Sequence, residues 1–267
     1  MAVYSGAYSA KESSAAEGDV YIPTDSFYDW LIWTGGAWKH ILNGMECIPP
    51  VDSEFTWINQ GAASTVTANG GVHLLAPALA GGNLRIKKKT APTPPYTVTA
   101  LVVPTLAGVN FPHGGIVLRE SATEKLLTAS VEFNTAAGGP GGAAVAVFSW
   151  ASPTASGARK VAGRLDGTLS APIWLKLADT GALTQASFSG DGVNFVQLYS
   201  AAYNVNFTAA PNEIGFFAHS NNATYDAAVT LISWDKPNPP AGGRNYAFWG
   251  LGAIGSGGGP NVGIFGD

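Results

Sequence analysis

Internal disulfide bonding is ruled out, because the 267 residues contain a single cysteine, Cys47. The fold must rest on packing and backbone pairing. Charge is scarce as well. Charged residues make up 12% of the chain, against roughly 25% in ordinary soluble domains. The net charge is −4, and the one cationic run is Lys87-Lys88-Lys89. A phosphate-binding surface needs clustered Lys and Arg, so nucleic acid is not an expected partner. The lysine run precedes the turn-like segment Thr90 to Pro95 and reads as a guarded strand edge. No apolar run reaches the length of a membrane-spanning helix, so no membrane insertion is expected. Residues 1–18 lack the charged start and apolar core of a signal peptide. Synthesis in a cytoplasm without a signal peptide is the expectation.

Glycine (34), proline (17) and hydrophobic residues (46%) are plentiful. Such a chain has much to bury and little charge to keep a lone monomer dispersed. Much of its surface is expected to face other subunits. Two proline clusters, Pro49-Pro50 and Pro237-Asn238-Pro239-Pro240, interrupt regular structure and divide the chain. Residues 1–50 comprise a small-residue arm and a segment rich in aromatics, including Tyr21, Trp30, Trp33 and Trp38. That segment reads as a hairpin too small to bury its own rings. Residues 237–267 are glycine-rich yet carry Tyr246, Phe248, Trp249 and Phe265, a load no plain linker needs. Both ends are therefore expected to be assembly elements that dock on neighbouring subunits.

Residues 51–236 alternate short apolar stretches with turn signals. Tyr96 to Pro104, Ile116 to Arg119, Leu126 to Phe133, Ala143 to Trp150 and Ile173 to Ala178 have the β-branched, period-two pattern of strands. Phe188 to Phe195 reads as strand, tight turn, strand around Asp191-Gly192. Ile214 to His219 and Tyr225 to Asp235 close the zone. No amphipathic helix of useful length is visible. The expected class is all-β: a two-sheet antiparallel sandwich.

Residues 173–199, with Trp174-Leu175-Lys176-Leu177 and Ser189-Gly190-Asp191-Gly192, resemble a hairpin of the concanavalin A-like lectin/glucanase family. Phe195 stands where that family often has Trp. Glu213 to Ala218 followed by Tyr225 to Leu231 resembles its last strands. Gly114 to Arg119 and Phe55-Thr56-Trp57 fit two more. The resemblance implies a concanavalin A-like jelly roll over about 51–236. Gly18-Asp19-Val20-Tyr21-Ile22-Pro23-Thr24-Asp25, followed by Gly35-Gly36-Ala37-Trp38, resembles a short element frequent in bacteriophage tail and fibre proteins. That likeness implies a virion protein.

Chemistry is harder to find. The E-x-D-x-x-E strand of glucanases, which puts an acid and a nucleophile on one face, is absent. Glu120, Glu124 and Glu132 read as surface carboxylates. His40, His73, His113 and His219 are far apart in sequence and lack metal-ligand spacing. Cys47 has no base beside it and reads as a buried apolar residue. Gly250 to Gly255 matches G-x-G-x-x-G but lacks the strand and helix a dinucleotide site needs. No oxygen-rich cluster forces calcium. No metal, cofactor or catalytic residue is expected.

The leading expectation is a non-enzymatic structural or adhesive protein of a phage particle: tail fibre, baseplate or capsid decoration. Its expected partners are other virion proteins and its own copies, as a homotrimer by analogy with phage fibres. Its sandwich is a candidate binder of host-surface glycan. An exposed aromatic platform beside polar groups is what such binding needs. The candidates are Trp150, Trp174, Tyr199, His219, Asn221, Asn222, Tyr225 and Asp226, although Trp150 and Trp174 also read as packing residues. The alternative is a bacterial accessory carbohydrate-binding module or a diverged glycoside hydrolase.

Overall fold

The computed structural model describes residues 3–6, 20–23, 30–33, 38–42, 45–68, 70–106, 111–134, 142–164 and 172–234, with backbone alone before Cys47. Strands are numbered in chain order. A small N-terminal sheet has the order β1 (Val3–Gly6), β2 (Val20–Pro23), β3 (Trp30–Trp33), β4 (Trp38–Leu42), β5 (Met45–Cys47). The expected hairpin is thus part of a five-stranded sheet, with β1 parallel to β2. The side chains of Tyr21, Trp30, Trp33 and Trp38, and all of Tyr246, Phe248, Trp249 and Phe265, lie outside the described residues.

The following strands are β6 (Thr56–Ile58), β7 (Ser64–Ala68), β8 (Gly71–Ala76), β9 (Arg85–Thr90), β10 (Tyr96–Leu106), β11 (His113–Arg119) and β12 (Leu126–Asn134). After them come β13 (Gly142–Trp150), β14 (Ala158–Arg164), β15 (Ile173–Asp179), β16 (Leu183–Ser189), β17 (Val196–Ala202), β18 (Glu213–His219) and β19 (Ala227–Trp234). They form two seven-stranded sheets. The front sheet runs β14-β13-β12-β11-β18-β9-β6 and the back sheet β17-β16-β15-β10-β19-β8-β7. Neighbours within both sheets are antiparallel. This is the sandwich that the alternating pattern implies. The described residues contain one four-residue helical turn, α1 (Tyr203–Asn206).

Period-two alternation sends Ile116 and Leu118 of β11, Leu127, Ala129 and Val131 of β12, and Val98, Ala100 and Val102 of β10 into the main core between the sheets. The front sheet is buried on its outer face too. There Leu84, Ile86, Val117, Leu126, Phe148, Trp150 and Phe217 form a second apolar layer. Gly115 sits at the centre of this sheet, where a Cβ would lie 2.2 Å from the Ala129 carbonyl oxygen. Only glycine admits so close a backbone approach.

A third cluster joins Cys47 to Leu101, Trp174 and Ile232 on the outer face of the back sheet. The Ile48 N–H donates to Ser233 Oγ at 3.0 Å, and the Trp234 N–H donates to the Ile48 carbonyl at 3.0 Å. The chain leaving the N-terminal sheet is therefore stitched to the end of β19.

Two expectations need correction. Lys87-Lys88-Lys89 does not guard an edge, because β9 lies between β18 and β6. Lys87 pairs with Asp52 at 3.0 Å, Lys88 with Glu213 at 2.6 Å and Lys89 with Glu54 at 3.2 Å. Lys89 also lies over the rings of Phe55 and Trp234. Glu120 and Glu132 are buried rather than superficial. Glu120 accepts the N–H groups of Thr208 and Ala209 at 2.7 and 3.1 Å, fastening a loop. Glu132 belongs to the site described next.

Candidate functional site

Strand register places Glu132 of β12, His113 of β11 and His219 of β18 side by side across the outer face of the front sheet. All three are buried, with Glu132 at 0% exposure. The imidazoles meet edge to face, ring centroids 4.7 Å apart. Phe148 stacks on His113 at 4.9 Å, and Trp150 meets His219 at 5.5 Å. Arg159 pairs with Glu132 and lies over the rings of Phe111 and Phe148. Phe111 holds a φ of 62°, a strained value for a bulky residue. That conformation accompanies its two contacts, the carbonyl on His113 and the ring under Arg159.

The tautomers follow from the partners. His113 Nδ1 is 2.9 Å from the Phe111 carbonyl, and His219 Nε2 is 2.9 Å from the Gly81 carbonyl. A carbonyl only accepts, so each of those nitrogens carries the proton. His113 Nε2, His219 Nδ1 and Glu132 Oε2 are then left as buried acceptors with no hydrogen-bond partner among the described residues. Burial pushes the His113 pKa well below the usual imidazole value, helped by the neighbouring His219. Burial likewise lowers His219 to about 4. Burial raises Glu132, and Arg159 only partly opposes this. Along the sheet Glu132 is flanked by His113 and Ala144, not by a second carboxylate.

Two loops lock over His219 and form a rim. The Ala78 N–H donates to the Asp226 carboxylate at 2.7 Å. The Ser220 hydroxyl accepts from the Leu79 N–H at 3.0 Å and donates to the Pro77 carbonyl at 3.1 Å. Leu79 and Asn222 form a β-bridge. Asn222 Oδ1 accepts the N–H groups of Thr224 and Tyr225 at 2.7 and 3.2 Å. Tyr225 is thereby presented at 48% exposure, and Leu79 at 40%. A third loop, 151–157, reaches the same region: the Leu84 N–H donates to the Pro153 carbonyl at 2.9 Å. Gly82 passes so close that a Cβ would meet the Ala155 carbonyl oxygen at 2.1 Å.

The eight sequence candidates separate into two groups. His219, Asn221, Asn222, Tyr225 and Asp226 converge on this rim, with Trp150 beneath. Trp174 is fully buried on the outer face of the back sheet. Tyr199 packs against the main core, its hydroxyl accepting from the Asn206 amide at 3.0 Å. Sequence reading missed His113, Glu132, Arg159 and Phe148 as members of one cluster. Strand register brings them together: His113, Gly115, Val117 and Arg119 lie opposite His219, Phe217, Gly215 and Glu213, and His113 lies opposite Glu132 on its other side. Among the described residues no group of three or more His, Cys, Asp or Glu could hold a metal ion.

No protein-family model matches this sequence, and no curated protein matches it. Solved structures do. A Saccharomyces cerevisiae protein described as functionally unknown superposes with a TM-score of 0.54 at 15% identity, covering 70% of this chain and 97% of that one. The GH43 protein BlXynB of Bacillus licheniformis superposes with a TM-score of 0.53 at 11% identity, covering 78% of this chain and 46% of that one. A xylan beta-1,4-xylosidase of Bacillus halodurans C-125 gives 0.50 at 10% identity, covering 76% and 45%. This chain thus spans a little under half the length of those two bacterial proteins. At such identities the likeness is one of fold: a two-sheet antiparallel β-sandwich shared across yeast and bacterial proteins.

Proposed function

We propose that this chain is a non-enzymatic structural and adhesive component of a bacteriophage particle, and that its sandwich binds a host-surface glycan at the rim of 77–83 and 219–226. The observation that carries the binding is the half-exposed Tyr225, held by Asn222 next to Asp226, whose carboxylate fastens this loop to Ala78. A fixed aromatic face with polar neighbours suits a pyranose ring and its hydroxyls. The particle role is supported by the resemblance of residues 18–38 to a phage fibre element and by the aromatic load at both chain ends.

The test is a glycan array with the full chain, including host polysaccharides and lipopolysaccharide, repeated with Tyr225→Ala. Loss of a stacked ring is expected to weaken binding about tenfold. Failure of the full chain to bind any glycan overturns the adhesive half of the proposal. A second reading, an accessory module or diverged hydrolase, draws on the GH43 proteins, of which this chain matches less than half. Release of reducing sugar from xylan, abolished by Glu132→Gln, would favour that reading; no release is expected.

A further inference from the structure

We infer that β7 is a pairing edge, and that its partner is β7 of a second copy of this chain. Among the described residues the sandwich has four edge strands: β14 and β6 of the front sheet, β17 and β7 of the back sheet. An exposed edge presents unpaired N–H and C=O groups, and proteins normally blunt it with charge, a bulge, proline or extreme shortness. Three of the four edges here carry such a device. In β14 there are Arg159 and Lys160, with a register shift at Lys160. In β17 the register shifts at Leu198, so that strand bulges. In β6 there are only three residues.

In β7 there is none of these. Ser64-Thr65-Val66-Thr67-Ala68 is uncharged, lacks proline, and pairs with β8 in unbroken register from end to end. Three successive β-branched residues suit a strand with neighbours on both sides. Val66 stands 57% exposed on the outer face, opposite His73. A carboxylate that touches this strand is already neutralised: Asp52, which accepts from the Thr65 hydroxyl at 3.1 Å, is paired with Lys87.

The choice of a second copy follows from self-complementarity. Two β7 strands related by a two-fold axis at Val66 set Val66 against Val66, Thr65 against Thr67 and Ser64 against Ala68. A two-fold axis puts any charged side chain at its centre against its own copy. This strand has no charge at any position. The two back sheets then join into one continuous sheet. Five residues bury far less than a standard interface of about 1,600 Å², so the contact is weak alone and strengthened where many copies are held together.

Sedimentation velocity on the full chain over a range of concentrations tests this. The wild type is expected to double in mass as concentration rises. Val66→Lys should stay at half that mass, while Val196→Lys on the bulged β17 edge should behave as wild type. Circular dichroism would confirm that both variants fold. An equimolar mixture of Val66→Lys and Val66→Asp should regain the doubled mass, because opposite charges then face each other. A wild type whose mass does not change with concentration overturns the inference. So does an association that Val66→Lys leaves intact.

Discussion

Acidification between pH 6.5 and 4 should weaken this fold through two buried histidines. His219 is 2% exposed and its pKa falls from 6.5 to about 4. In that interval the unfolded chain takes up a proton that the folded chain refuses. The stabilisation is therefore full above pH 6.5 and drains as pH falls. At ~1.36 kcal/mol per pH unit, the drop of about 2.5 amounts to about 3 kcal/mol for His219 alone. His113 is lowered as well, so the two histidines steepen the slope together in the shared part of the window. Glu132 works the other way. Its folded pKa is raised, so just above its ordinary value of 4.5 the folded chain holds the extra proton and the slope flattens. Urea midpoints at pH 7.5, 6.5, 5.5 and 4.5 would measure this, with His219→Gln and His113→Gln each removing about half of the slope. Equal midpoints at pH 7.5 and 5.5 in the wild type, or an undiminished slope in the double variant, would refute the reasoning.

Two further outcomes follow from packing. Gly115→Ala forces a methyl group to 2.2 Å from the Ala129 carbonyl oxygen in the middle of the front sheet. It should cost about 2–3 kcal/mol, read as a lowered denaturation midpoint, and a neutral result would contradict the close approach. Arg159→Ala strands the buried Glu132 carboxylate and should cost about 1–3 kcal/mol at neutral pH, since Arg159 itself is partly exposed. Glu132 then rises further, so part of that loss should be recovered as pH falls towards 5, an outcome that thermal melts at two pH values would check.

The sandwich itself was legible because period-two alternation survives in the long strands: β10, β12, β13 and β15 lie where the pattern puts them. β14 was not, since Arg159-Lys160 interrupts the apolar alternation there, and only strand pairing shows Arg159 paired with Glu132. The lysine run misled for a related reason. Nothing local in Lys87-Lys88-Lys89 reveals that β6, some thirty residues earlier, returns to pair beyond it. The rim was half visible, because His219 through Asp226 are contiguous. Its other half, Pro77 to Gly81, attaches by its backbone to the side chains of His219, Ser220 and Asp226, through bonds that leave no compositional trace. The His113–His219 contact spans more than a hundred residues and exists only through the β11–β18 register.

The stitch between Ile48 and β19 also fixes how tension would pass through the molecule. β19 starts beside the rim at Ala227 and ends at Trp234, where the segment from the N-terminal sheet is fastened. Its eight residues span about 23 Å. A pull between the rim and the N-terminal sheet therefore runs lengthwise along one central strand. β10 flanks that strand along its length and β8 along its first five residues. Those backbone hydrogen bonds lie across the line of pull and must slide together rather than open one after another, the arrangement in which a sheet best resists being drawn apart.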